Sequence, residues 1–368
     1  MRALISLDDW PLAQIRRVLR RAAAWKAAFK RARGESEFGR MAEDKGTTGA
    51  FSKWDEMRFE RTVGRRTVAL AFFEPSTRTR LSFELAAKRL GADVVDLDVG
   101  RSSVQKGEDI AETLATLEAM GAEAIVVRTT IDDLRPYGEA LQRAALVSAG
   151  AGMAEHPTQA LLDVLTMLEA FGSLEGKTVA VIGDVRHSRV AASHLRLLPR
   201  LGARLVLAGP PALLEREDGR SATAIRAPSV DEAIEAADAV IVLRLQKERL
   251  TAVDRAMLGG DVDRFLARYL ERYGLSAPRA ARLKPSGLIL HPGPVWPDVE
   301  IARAVFDDPR ARIRVQVENG VFVRMAVLAE ALAISSPEEE AGSAVPAACS
   351  ETGDGRAPVG VERAPHYT

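Results

Sequence analysis

The chain has 368 residues, and 51 Lys+Arg balance 51 Asp+Glu, so no overall positive field draws nucleic acid or an anionic membrane to it. Hydrophobic residues at 47% and charged residues at 28% are a globular balance, and the length suits about two domains. The single cysteine, Cys349, excludes an internal disulfide and a multi-thiolate metal site; no apolar run is long enough to span a bilayer and no signal-peptide pattern opens the chain. A cytoplasmic protein without metal or cofactor is expected, and any anion site must be local.

Periodicity over 7–32 predicts an amphipathic surface helix capped by Asp8 or Asp9. Residues 33–61 are polar, Gly-bearing and without period, and are expected to form a flexible insertion. The apolar, β-branched run that opens Thr67-Val68-Ala69-Leu70 reads as a buried strand, broken by Glu74-Pro75. Ser76 or Thr77 then caps a helix whose apolar positions are Leu81, Phe83 and Leu85. Free N–H groups at that helix start, the hydroxyls of Ser76, Thr77 and Thr79 and the guanidiniums of Arg78 and Arg80 suit a phosphate or another compact anion. No glycine lies in the turn, which excludes a Walker loop and a dinucleotide fingerprint. A purely structural reading would pair Arg80 with Glu84 at i,i+4.

Further strands are predicted at 93–98 and 124–128, the latter ending on Arg128, with a polar loop around Lys106 and a helix at 108–120 between them. A short segment from Val147 leads to the helix at 160–170, near whose start lie His156, Pro157 and Gln159. Strands at 178–182, 204–208, 239–243 and 288–290 then alternate with helices at 188–198, 230–237 and around 265–273, and an apolar helix closes the fold at 320–332. Arg189 falls in a first helical turn and Arg244 at a strand end. From Ser335 onward Ser, Pro, Glu and Gly dominate, which predicts a disordered tail.

Alternating strands and helices imply an α/β fold of two doubly wound parallel-sheet domains linked by a long helix, with the C-terminal helix packing back. Such sheets bind ligands beyond the carboxyl ends of their strands. The expected division is 1–155, 156–319 and a returning helix at 320–334. The donors Ser76, Thr77, Arg78, Thr79, Lys106, Arg128, His156 and Gln159 form one cluster, suited to a phosphate and a polarised carbonyl. Arg189, Arg244 and Gln246 form a second, suited to two carboxylates.

These runs, in this order, resemble the catalytic chains of the aspartate carbamoyltransferase family, within the aspartate/ornithine carbamoyltransferase superfamily: Phe72-Phe73-Glu74-Pro75-Ser76-Thr77-Arg78-Thr79-Arg80, Ser103-Val104-Gln105-Lys106-Gly107-Glu108, His156-Pro157-Thr158-Gln159, Gly183-Asp184-Val185-Arg186-His187-Ser188-Arg189, Leu243-Arg244-Leu245-Gln246-Lys247-Glu248-Arg249 and His291-Pro292-Gly293-Pro294. The resemblance covers roughly positions 65 to 333. It implies transfer of the carbamoyl group of carbamoyl phosphate to the α-amino group of L-aspartate, in pyrimidine biosynthesis.

By that resemblance Ser76, Thr77, Arg78 and Thr79 hold the phosphate, Thr79, Arg128 and His156 point at the carbonyl oxygen, and Gln159 accepts from the amide. Arg189, Arg244 and Gln246 bind the aspartate carboxylates. Lys106 reaches a neighbouring subunit's site, which implies a homotrimer with shared active sites; a regulatory chain or a dihydroorotase is a candidate partner. The alternatives are transfer to ornithine or another amino acid, and a catalytically impaired homologue that binds a small anion or scaffolds a pathway enzyme. Ornithine carbamoyltransferases usually carry His-Pro-Cys-Gln, a Ser-Met-Gly turn and His-Cys-Leu-Pro where this chain has Thr158, no such turn and Gly293, and a second arginine at Arg244 suits a dicarboxylate.

The chain departs from the family at Ser148-Ala149-Gly150-Ala151-Gly152, where Asn-Ala-Gly-Asp-Gly is common, and at Val295-Trp296-Pro297, where Val-Asn-Arg is common. Glu155 replaces a common glutamine, and its charge is expected to raise the pKa of His156.

Overall fold

The computed structural model describes residues 4–34, 66–102 and 107–333. The expectations placed on 335–368, and on all but the first two residues of 33–61, lie outside them.

Helix α1 spans Leu12–Ala32 and buries Ile15, Val18, Leu19 and Ala22. Its N-cap is Pro11, with no side-chain cap, and not Asp8 or Asp9. Those carboxylates pair elsewhere, Asp8 with Arg196 and Arg220 and Asp9 with Arg135.

Four parallel strands follow, β1 (Thr67–Phe72), β2 (Asp93–Leu97), β3 (Ala124–Thr129) and β4 (Ala145–Ala151), in the order β2-β1-β3-β4. Helices α2 (Thr77–Arg89), α3 (Ile110–Ala119) and α4 (Arg135–Ala140) connect them. Strand β4 is absent from the sequence reading because Ser148, Ala149 and Gly150 carry little strand propensity; its pairing with β3 and its complete burial make it a strand. In α2 only Phe83 of the expected apolar trio is buried, while Leu81 and Leu85 are 51% and 48% exposed. Arg80 pairs with Asp96 across to β2, and Glu84 with Lys88, so the Arg80–Glu84 pair of the purely structural reading does not form.

Helix α5 (Pro157–Phe171) leads to a second parallel sheet of β5 (Thr178–Ile182), β6 (Arg204–Ala208), β7 (Ile225–Arg226), β8 (Ala239–Val242) and β9 (Leu288–Leu290), ordered β7-β6-β5-β8-β9. Its helices are α6 (Arg189–Leu197), α7 (Val230–Ala236), α8 (Ala252–Met257), α9 (Val262–Ala267), α10 (Tyr269–Arg272) and α11 (Ala277–Arg282). A break at Arg268 divides the one helix expected around 265–273 into α9 and α10. Helix α12 (Ile313–Ala331) starts earlier than expected and packs back on α1, α2 and α5.

One core runs through both halves, from Val68 and Val126 to Val179 and Ile241, with Phe322 and Val327 of α12 inside it. Separate clusters cover the opposite faces, around Ile125 and Leu114 in the first sheet and Ile182 and Ile289 in the second. Parallel order sends every strand's carboxyl end to one edge of its sheet, where the loops after β1, β3, β5 and β8 carry the polar side chains.

Candidate active site

Those loops line a cavity of about 740 Å³. Ser76, Thr77, Arg78, Thr79, Arg128, His156 and Gln159 border it from the first cluster, and Arg189, Arg244 and Gln246 from the second. Lys106 lies outside the described residues. Two groups that are far apart in sequence thus face one space.

The turn after β1 leaves its donors unspent. Ser76 is the N-cap of α2, yet its hydroxyl makes no capping bond, so both the hydroxyl and the first amides of the helix stay available to an anion. Arg78 is exposed and makes no hydrogen bond or ion pair among the described residues; partial desolvation lowers its pKa from the ordinary value. Gly293, at φ 65° in the Pro292-Gly293-Pro294 turn, lies against it: a Cβ there would sit 2.9 Å from the Arg78 guanidinium carbon. Only glycine fits a left-handed turn that close to a guanidinium.

Deeper in, the arginines crowd. Burial, then the charge of Arg189, pushes the pKa of Arg128 down to about 9, although Glu74 opposes the shift. Glu74 is the counter-charge of the whole group: Oε2 lies 2.8 Å from Arg189 Nη1 and 3.5 Å from Arg128 Nε, and Oε1 lies 3.9 Å from Arg249 Nη2. Gly150, at φ 128°, opens the space in which the guanidiniums of Arg128 and Arg189 approach each other.

His156 is the N-cap of α5, and its backbone N–H donates to Ser193 Oγ at 2.8 Å. Burial first, then Arg128, Arg324 and Arg189, holds its pKa well below 6.5. The ring is neutral near pH 7. This reverses the expectation for Glu155, whose carboxylate turns away to Ser6 Oγ, to Leu7 N at 3.0 Å and to Arg196 at 3.1 Å. Burial raises the pKa of Glu155 itself, and its charge does not reach the histidine.

Beneath the cavity Asp163, fully buried, accepts from Gln159 Nε2 at 2.9 Å and from Gln316 Nε2 at 2.6 Å. An acceptor-only carboxylate fixes which way Gln159 turns, so its carbonyl oxygen is free to accept from a ligand. On the far side, Arg244 is held by Glu248 and stacks 5.1 Å over the ring of Trp296. The departure at Trp296 therefore supports one of the two arginines of the second cluster.

Sequence reasoning did not single out Glu74, Arg249, Arg324 or Asp163. Arg324, buried with its pKa pushed down to about 9 and 5.2 Å from the Phe83 ring, borders the cavity from α12. A charge set between apolar neighbours was the available signal, Arg324 between Val323 and Met325 in α12 and Asp163 between Leu162 and Val164 in α5.

Two family models match the chain: the carbamoyl-P binding domain of aspartate/ornithine carbamoyltransferase over residues 2–169, and its Asp/Orn binding domain over 175–331. The chain belongs to the aspartate/ornithine carbamoyltransferase family. It is 50% identical over 263 residues to the aspartate carbamoyltransferase catalytic subunit of Thermus aquaticus, which covers 71% of this chain and 83% of the relative. The corresponding subunit of Gluconobacter oxydans is 48% identical over 263 residues, covering 72% and 82%. Among solved structures, aspartate transcarbamoylase from Trypanosoma cruzi in complex with carbamoyl phosphate and aspartate superposes with a TM-score of 0.74 at 31% identity, covering 91% of this chain and 97% of that one. The two-domain parallel α/β architecture expected from the sequence is the fold of that structure.

Proposed function

We propose that the chain transfers the carbamoyl group of carbamoyl phosphate to the α-amino group of L-aspartate, giving N-carbamoyl-L-aspartate and phosphate. The observation that carries this is the single cavity bordered by the turn after β1 and by Arg189, Arg244 and Gln246. Ser76, Thr77, Arg78 and Thr79 hold the phosphate with hydroxyls, amides and a guanidinium. Thr79, Arg128 and neutral His156 donate toward the carbonyl oxygen, and Gln159 accepts from the amide. Arg189, Arg244 and Gln246 take the two carboxylates of aspartate.

The amine nitrogen attacks the carbonyl carbon, negative charge grows on its oxygen, and preorganised donors there lower the barrier by about 3 kcal/mol each. The bond to the phosphate oxygen then breaks and phosphate departs with the electron pair. Among the described residues that border the cavity, Glu74 and Glu248 are engaged by arginines and His291 Nδ1 accepts from Gly293 N, so none is an evident base for the proton that the amine sheds, and the leaving phosphate takes it. His156, held below its ordinary pKa, serves as an electrophile and not as the base.

Residues 1–155 would then hold the carbamoyl donor and 156–319 the acceptor, with 320–334 returning to the first domain. We place the chain in a homotrimer in which Lys106 enters a neighbour's site. Exposed Leu81, Leu85 and Val95 on the packed pair α2 and β2 support a covered face there. Pyrimidine biosynthesis and a cytoplasmic location belong to the same reading, and no described helix is long and apolar enough to cross a membrane. The test is formation of carbamoyl aspartate from the two substrates, with ornithine in competition, repeated with a phosphonate that carries both anionic ends. Strong inhibition supports one shared cleft, and preference for ornithine overturns the acceptor assignment.

A further inference from the structure

We infer that His187 is a positioning residue for the acceptor half of the site: caught between Asp184 and Asp254, it clips the segment that carries Arg244, Gln246 and Arg249 onto the turn after β5. The inference rests on the proposed reaction only in naming the ligand as a dicarboxylate.

His187 does not border the cavity, and its side chain is 4% exposed, while those of Asp184 and Asp254 are fully buried. Its Nδ1 lies 3.0 Å from Asp184 Oδ1 and 3.2 Å from Oδ2, and its Nε2 lies 3.3 Å from Asp254 Oδ2. Both ring nitrogens therefore face a carboxylate. A neutral imidazole has one N–H and would turn a lone pair on one of the two; only the imidazolium satisfies both. Burial by itself would lower the pKa of His187, but the hydrogen bond and charge of Asp184 and the charge of Asp254 outweigh it, and the pKa is raised. The cations nearby are Arg186, whose Nε lies 3.5 Å from Asp254 Oδ1, Arg249, whose Nη1 lies 3.0 Å from the His187 carbonyl oxygen, and Arg216, which is bonded to the carbonyls on either side of His187. The buried Tyr269 phenol, its pKa raised first by burial and then by Asp184, stays neutral.

Each carboxylate is also a fastening for the acceptor segment. Asp184 Oδ2 accepts from Gln246 N at 3.0 Å, and Oδ1 from His187 N at 3.1 Å. Thr251 caps α8, and Asp254 closes the capping box from the third helical position, accepting from Thr251 N at 2.8 Å and Thr251 Oγ1 at 2.6 Å. The carbonyl of His187 accepts from Arg249 Nη1 at 3.0 Å. The turn itself is braced by Arg216, whose Nη1 donates to the carbonyls of Val185, Arg186 and Ser188. Residues 246–254 are thus tied to a fixed turn at their start, middle and end, and His187 is the one member that couples the two buried acids.

Because the folded pKa is raised, the clip is complete below the ordinary value of 6.5 and is lost as pH rises through the folded value. Losing it places a lone pair against a buried carboxylate and loosens the segment, which weakens dicarboxylate binding and leaves the phosphate turn untouched.

The test is calorimetric binding of succinate, a dicarboxylate without an amine, in saturating carbamoyl phosphate, from about pH 6.5 to about pH 8. This window lies below the titration of Arg128 and Arg324, both pushed down to about 9. Wild-type affinity should fall about fivefold or more across it, the scale of a modest coupling between sites, with carbamoyl-phosphate affinity constant. His187→Gln should bind succinate about tenfold more weakly at the acid end and show no further pH dependence. Asp254→Asn leaves the ring one carboxylate, so the midpoint of the pH dependence should move down. The inference is overturned if succinate binding follows pH identically in wild type and His187→Gln, if Asp254→Asn leaves the midpoint unmoved, or if either variant loses carbamoyl-phosphate affinity in step. Turnover of the wild-type protein, measured on the same samples, reports separately on the reaction, since succinate binding needs none.

Discussion

Arg189 Nη1 lies 2.8 Å from Glu74 Oε2, so the turn that follows β1 holds the first residue of a helix 115 positions further along the chain. The same carboxylate faces Arg128 and Arg249, and three guanidiniums share one counter-charge at the floor of the cavity. Glutamine at position 74 keeps an acceptor and removes the charge. Glu74→Gln should raise KM for L-aspartate by about tenfold or more, the scale of a hydrogen bond to a charged group, with a smaller effect on kcat. Steady-state kinetics with each substrate varied in turn decide it; an unchanged KM for aspartate would detach Glu74 from the acceptor site.

Arg78 is held by no ion pair among the described residues and is exposed, so no polar contact described in the fold depends on it. A guanidinium left free beside a helix start is a feature kept for a ligand. Arg78→Ala should cut kcat/KM for carbamoyl phosphate by about a hundredfold or more, with circular dichroism and thermal midpoint unchanged. Unchanged kinetics in that variant would remove the phosphate assignment.

His156 supplies a pH signature. Its folded pKa is held well below 6.5 by burial and by Arg128, Arg324 and Arg189, so the unfolded chain binds a proton there that the folded chain refuses. Stability from this site is therefore present above 6.5 and lost as pH falls below it, at up to about 1.4 kcal/mol per pH unit. Urea midpoints at about pH 7.5 and about pH 5.5 should fall further for wild type than for His156→Gln, which has no proton to gain. Equal losses in the two proteins would mean that the ring is protonated in the fold and cannot act as a neutral donor.

Strand positions with strong side-chain signals were legible from sequence: β5, β6 and β9 coincide with their predicted spans because branched apolar runs end at Gly183, Gly209 and His291. Strand β4 was not, since small residues make a strand there only through pairing with β3 and close packing. The donors of the site were legible because hydroxyls, amides and guanidiniums fell together at strand ends. What stayed hidden were the groups that act through others: Glu74 among three arginines, Asp163 beneath Gln159, and the failure of Glu155 to reach His156. Adjacent positions in sequence point their side chains apart at a helix start, so proximity along the chain misled where proximity in space decides.

Gly150 is the tightest backbone constraint on the arginine pair. It sits in β4 at φ 128°, and a Cβ there would come within 3.2 Å of Arg189 Nη1 and 3.3 Å of Arg128 Nη1. Alanine would meet two costs at once, a left-handed backbone worth about 1–2 kcal/mol and a methyl wedged between guanidiniums from the two halves of the site. In the proposed reaction one arginine serves the carbonyl and the other a carboxylate, so displacing both should raise KM for carbamoyl phosphate and for aspartate together, by about tenfold each. Gly150→Ala should also lower the thermal midpoint by about 2–4 °C per kcal/mol lost. If KM changes for one substrate alone, the two guanidiniums do not share the space that Gly150 leaves open.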